Sequence, residues 1–97
     1  MKAIHFEWDN KKNFQNIKKH KISFEEAKTV FFDDNARMIF DPDHSDDEDR
    51  FILLGLSKFF NILVIVHCYI EDESIIRIIS ARKANKNEKN YYWELLK

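Results

Sequence analysis

Three segments of this chain are apolar on both faces, and they constrain the fold more than any other feature. Phe51 and Leu53 oppose Ile52 and Leu54; Leu63 and Ile65 oppose Val64 and Val66; Ile75 and Ile79 oppose Ile76 and Ile78. A sheet with one wet face would alternate apolar with polar residues, so strands of this kind are covered on both sides. The connections at 57–61 and 70–74 are too short for parallel crossovers, which makes 51–56, 62–69 and 75–81 an antiparallel meander. Either helices cover both faces or another protein chain takes one of them, and the partner is the favoured reading.

The remaining segments supply the helices. Ile4, Phe6 and Trp8 alternate with His5 and Glu7, the period of a half-buried strand. Asp9 or Asn10 then caps a helix that runs to about residue 20. Phe14, Ile17 and the stem of Lys21 share one face of it; Asn13, Asn16 and His20 share a flank. Ser23 and Glu26 have capping-box spacing, and Phe24, Ala27, Val30 and Phe31 form the apolar stripe of a second helix ending near 33–35. A strand at 37–40, a loop at 41–49, the meander and a last helix over about 87–96 complete the order β-α-α-β-β-β-β-α. The expected class is α+β, an antiparallel sheet with helices.

At 97 residues the chain is expected to form a single domain spanning 1–97. One Gly and one Pro leave no room for glycine-rich phosphate loops or low-complexity linkers. No apolar run reaches membrane-helix length and the N-terminus lacks a signal-peptide core, so the expectation is a cytoplasmic protein without a membrane contact. Cys68 is the only cysteine, which excludes a disulfide framework and a cysteine zinc site, and in an apolar strand it reads as an inert buried thiol.

Acidic and basic residues nearly cancel, 17 against 16, but they are segregated. Lys11, Lys12, Lys18, Lys19 and Lys21 cluster without an acid among them; Arg77, Arg82, Lys83, Lys86 and Lys89 form a second basic segment. Asp41, Asp43, Asp46, Asp47, Glu48 and Asp49 form an acidic loop. Solvated surface accounts for such runs on charge alone, although a basic surface also suits a polyanion. As an EF-hand the loop fails, because Asp46 stands where Gly is required and Ile52 where Glu is required. The four histidines lack ligand spacing, so no metal and no cofactor is expected. Gly55, inside a strand, marks a bulge or a close approach.

Charged residues near the ends of these elements carry the remaining chemistry. Glu48 and Arg50 share strand parity and project to one face. Arg77 stands among isoleucines, where an unpaired guanidinium is costly, and an internal pair with Glu48 is the simplest structural account. Arg82 differs from Arg77 in parity, so the two share a site only past a bulge or the strand end. His20 alone would be an exposed histidine at a helix C-terminus.

In order and spacing these residues resemble the BrnT family of toxins from bacterial type II toxin–antitoxin modules. The resemblance rests on Phe6-Glu7-Trp8-Asp9 with Lys12 and Asn16, on Lys19-His20, and on Ser23 to Ala27 with Val30-Phe31. It continues through Asp43-His44-Ser45, Glu48, Arg50, Gly55, the stretch Arg77 to Ala84, Glu88, and Tyr91 or Tyr92. It implies a RelE-like fold, a ribonuclease that blocks translation, and a BrnA-type DNA-binding antitoxin forming a toxin–antitoxin hetero-oligomer. Two features depart from the pattern: the bulky turn Ser57 to Asn61, and His67 where a small or β-branched residue is usual.

Metal-independent RNA cleavage needs a base for the 2′-OH, an acid for the leaving 5′-oxygen and cations for the phosphorane-like transition state. On this reading Arg50, Arg77 and Arg82 grip the phosphate, His20 or Glu48 transfers the proton, and Lys12, Lys19 and Lys83 bind RNA. The competing reading is a non-enzymatic interaction module in which Glu48, Arg50, Arg77 and Arg82 form a structural ion network.

Overall fold

A computed structural model describes residues 4–40, 50–70, 72 and 74–94; the acidic loop lies outside the described residues. Strand β1 (His5–Glu7) leads into helices α1 (Asn10–His20) and α2 (Phe24–Thr29), the latter extended by a 3-10 turn at Val30–Phe32. Strands β2 (Arg37–Phe40), β3 (Phe51–Leu56), β4 (Ile62–Ile70) and β5 (Ile75–Lys83) follow, then helix α3 (Lys86–Glu94). The element order and the α+β class are those read from the sequence. The sheet runs β1-β5-β4-β3-β2, with the expected antiparallel meander at its centre.

One pairing differs from expectation: β1 joins β5 in parallel, His5 beside Ile75 and Glu7 beside Arg77, so the sheet is mixed. Parallel neighbours require a long crossover, and here everything between the two strands in the chain serves as one. Helices cover both faces. On one, Ile22, Phe24, Ala27 and Val30 pack with Leu53, Leu63, Ile65, Ile78 and Ala81. On the other, Ala84 and Tyr92 pack with Leu54, Ile62 and Val64. Helix α3 leaves part of this second face open as an apolar groove of ≈190 Å³ along Ile39, Ile52, Leu54, Val64 and Tyr91.

Helix α1 lies on the sheet by its polar flank, opposite to what its apolar residues suggest. Phe14 is 71% exposed, whereas Asn16 is buried. The Asn16 amide donates to the Ile22 and Ala81 carbonyls at 2.8 and 2.7 Å and accepts from Ala81 N at 3.1 Å. Asn13 accepts from Phe24 N at 2.9 Å and so helps start α2. Backbone groups at that seam need partners, which an amide supplies and Phe14 or Ile17 cannot.

The capping box at α2 is half formed. Ser23 Oγ accepts from Glu26 N at 3.0 Å, but the Glu26 carboxylate turns instead to Ser57 Oγ at 2.6 Å and Asn61 Nδ2 at 2.8 Å. Gly55 marks a close approach: a Cβ there would stand 2.8 Å from Val30 Cγ1 and 2.9 Å from Ala36 Cβ. Beside it Asp33 accepts from Leu56 N and from the Tyr92 hydroxyl at 2.9 and 2.6 Å, tying the turn after α2 to α3. Burial alone would raise the Asp33 carboxyl, but these donors hold it below the ordinary range.

Candidate functional site

Strand β5 carries the bulge that Arg77 and Arg82 require. Val66 pairs with Ser80 and His67 with Ile78, which leaves Ile79 without a partner. The extra residue keeps Ile78 and Ala81 on the α1–α2 face. By alternation, Arg77 and Arg82 then share the opposite face despite their odd spacing.

At the bulge the end of β1, the start of α1 and β5 enclose an open cleft of ≈300 Å³ lined by Glu7, Trp8, Asp9, Lys12, Arg77, Ile78 and Ile79. Each wall follows from the local sequence. Asp9 accepts from Lys11 N at 2.8 Å as the N-cap of α1, which sets Lys12 on the first turn of the helix. Parallel pairing places Glu7 beside Arg77, and Arg77 Nη2 donates to Glu7 Oε1 at 3.5 Å. Their side chains are 47% and 44% exposed. Arg77 is therefore exposed rather than internal as expected, while the expected pair with Glu48 falls outside the described residues. Next to the edge strand the guanidinium reaches water, and among the described residues its carboxylate partner is Glu7.

Arg50 is half-buried. The β3–β4 register, continued one residue past the Phe51–His67 pair, sets it beside Cys68, which in turn pairs with Arg77. Glu7, Arg77, Cys68 and Arg50 therefore form one row across the sheet.

Arg82 stands further along β5 and its fork is occupied. Nη1 and Nη2 donate to the two Glu88 oxygens at 2.8 and 2.9 Å. Glu88 also accepts from Asn85 N while Asn85 Oδ1 accepts from Glu88 N, a capping box at the start of α3. The paired guanidinium holds the Glu88 carboxyl below its usual range, and Glu88 in turn raises Arg82. Bidentate contact between the Nη1–Nη2 fork of Arg82 and a phosphate requires this pair to open.

His20 is half-buried in the last turn of α1, about 12 Å along the helix from Lys12. That places it beyond the cleft, whose lining includes Lys12 but not His20. Lys19 is exposed near that end of the helix, and Lys83, at the end of β5, lines a separate cleft. Lys12 and Arg77 are thus the two expected residues brought into one cavity. Glu7 is the site residue that the sequence does not single out. Its alternation with Phe6 and Trp8 puts it on the solvent side of a strand, but only the β1–β5 pairing reveals its neighbour. Among the described residues no three His, Cys, Asp or Glu side chains gather as a metal set, and no helix is long and apolar enough to cross a membrane.

Comparison with known proteins agrees with this architecture. No curated protein sequence matches the chain. The crystal structure of the Brucella abortus ribonuclease toxin BrnT matches with a TM-score of 0.65 at 21% identity, covering 87% of this chain and 100% of the other. Residues 8–88 match the family model described as ribonuclease toxin, BrnT, of type II toxin–antitoxin system. That span runs from Trp8, at the cleft, to Glu88, the partner of Arg82, and the chain belongs to the BrnT family of ribonuclease toxins from type II toxin–antitoxin systems.

Proposed function

We propose that this protein is an endoribonuclease of the RelE-like, mRNA-cutting kind that cleaves RNA without a metal at the β1–α1–β5 cleft and so blocks translation. The observation that carries the proposal is the meeting of a guanidinium and an ammonium (Arg77 and Lys12) with the carboxylate of Glu7 in one open cavity that Asp9, the N-cap of α1, also lines. Arg77 presents a planar fork suited to phosphate oxygens, and Lys12 adds a point charge. Arg50, in the same row of the sheet, extends the positive potential. A bound phosphate takes Arg77 away from Glu7, whose carboxylate is then free to accept the 2′-OH proton. The 2′-oxygen bonds to phosphorus, the bond to the 5′-oxygen breaks, and that oxygen leaves protonated. The products carry a 2′,3′-cyclic phosphate and a 5′-hydroxyl. Glu48, two residues before Arg50 in the chain, is the proposed proton donor to the leaving oxygen, in preference to the distant His20. Lys19 and Lys83 steer the strand, while Arg82 positions α3 through Glu88.

The cognate partner in this reading is a BrnA-type DNA-binding antitoxin in the cytoplasm, with the apolar groove along Ile39, Ile52 and Tyr91 as a surface available to it. The non-enzymatic alternative draws its support from Arg82 and Glu88, whose bidentate pair and capping box serve α3. Arg77, exposed in a cleft, has no comparable structural task.

The test is cleavage of end-labelled RNA in EDTA beside an all-deoxy strand of the same sequence. The expected result is RNA products ending in 2′,3′-cyclic phosphate and an intact deoxy strand. Dependence on added divalent cation, or equal cutting of DNA, overturns the mechanism.

A further inference from the structure

The bulky turn Ser57 to Asn61 is not absorbed by the catalytic cleft, yet it is firmly built. Ser57 N donates to Asn61 O at 2.8 Å and Phe60 N to Ser57 O at 3.0 Å. The Glu26 carboxylate holds Ser57 and Asn61 from below, and Lys58 N donates to Thr29 Oγ1 at 3.0 Å. What this scaffold presents is Phe60, 83% exposed and at a φ of 65°. That backbone region disfavours a bulky residue, so neither burial nor local geometry explains the aromatic ring. Across from it on α3, Lys89 and Trp93 stand one helical turn apart, with Trp93 half exposed. Together with Asn61, Ile62 and Lys83 they enclose a cleft of ≈270 Å³ containing two aromatic rings, two ammonium groups and, among the described residues, no carboxylate.

We infer that this cleft is a second RNA subsite, in which an unpaired base of the substrate strand stacks on Phe60 and Trp93 while its phosphates lie against Lys83 and Lys89. Aromatic faces interleaved with lysines are the chemistry of single-strand recognition. The complementary charge of the lining selects a polyanion over an apolar or basic partner. Strand β5 connects the two sites: Arg77 lines the catalytic cleft and Lys83 this one, about 20 Å apart at strand rise. A short single strand spans that distance. The inference rests on the proposed RNA cleavage and assigns the strand a path along β5.

The test measures binding of a short 2′-O-methyl oligonucleotide, which cannot be cleaved through its 2′-oxygen, to the wild type and to F60A, W93A, K83Q, K89Q and F59A. Removing one stacking ring is expected to weaken binding about tenfold. Each lysine substitution is expected to lower the slope of log affinity against log salt by about 0.7. Phe59, outside the cleft, serves as the matched control, and F60A removes a side chain already in water, so folding is not at stake. Wild-type affinity in both F60A and W93A, with the wild type still cutting RNA, overturns the subsite and leaves the cleavage reading intact. A wild type that neither binds nor cuts RNA fails the cleavage reading itself. Undiminished RNA binding combined with loss of antitoxin binding in F60A and W93A makes the cleft a protein-docking surface and also overturns the inference.

Discussion

Replacing Asn16 tests how the proposed catalytic cleft is held together. This side chain is the polar clasp between α1, which carries Lys12, and β5, which carries Arg77. It makes three hydrogen bonds, two donated to carbonyls at 2.8 and 2.7 Å and one accepted at 3.1 Å. At about 1 kcal/mol net for each, with a further cost for buried groups left unpaired, Asn16→Ala is expected to lose about 3–4 kcal/mol. That is a large share of the stability of a small domain. Asn16→Asp is the sharper perturbation, because it keeps the shape but donates to one carbonyl when protonated and to neither when ionised. Its carboxylate would face the Ile22 and Ala81 oxygens, so its folded pKa rises above the unfolded value. Such a group contributes stability at low pH that is lost as pH rises through the folded pKa. The Asn16→Asp variant is therefore expected to fall further below wild type at pH 7 than at pH 4. Urea denaturation of the three proteins at both pH values, followed by circular dichroism, reads this directly. An Asn16→Ala variant within about 1 kcal/mol of wild type, or an Asn16→Asp variant whose deficit does not depend on pH, would refute the reasoning.

Other expectations follow from single contacts. Burial beside Phe31, Phe51 and Tyr69 pushes the His67 imidazole down from 6.5 to about 4; the unfolded chain takes up a proton first, so stability falls from about pH 6.5 toward pH 4 by up to about 3 kcal/mol. His67→Leu should flatten that part of the profile, and an imidazole titrating near 6.5 by NMR would contradict it. Gly55→Ala forces a methyl group against Val30 and Ala36 and is expected to cost about 1–3 kcal/mol in a thermal melt; an unchanged melt would show that the neighbours yield freely. Arg82→Ala and Glu88→Ala should each cost about 1 kcal/mol through the lost pair and the α3 cap, and their double variant should lose less than the sum; strict additivity would mean the pair is not coupled.

The class and element order are legible because the meander is apolar on both faces and the turns between its strands are short. The second helix is equally legible: Phe24, Ala27 and Val30 are all fully buried. Helix α1 misleads because apolar spacing favours burying Phe14 and Ile17, whereas the seam needs an amide to satisfy the Ala81 and Ile22 backbone groups. Of the proposed site only two members, Arg77 and Lys12, are legible, and its geometry is not. Arg77 and Lys12 stand out by their positions, but nothing local shows that β1 returns to pair with β5 and delivers Glu7. In the sequence the bulge at Ile79 is only a condition for Arg77 and Arg82 to share a face. Arg82 has no visible partner until α3 folds back and presents Glu88.

The most direct measurement of the central claim is the single-turnover rate of RNA cleavage by Arg77→Ala and Lys12→Ala, compared with wild type in EDTA. Both residues are exposed and line an open cleft, so the variants are expected to fold. If Arg77 stabilises the transition state, its loss slows cleavage by about 10²–10³, and Arg77→Lys, a charge without the fork, recovers only part of that rate. Lys12→Ala is expected to slow cleavage less. Wild-type rates in a folded Arg77→Ala protein would contradict the account and place the chemistry elsewhere on the molecule.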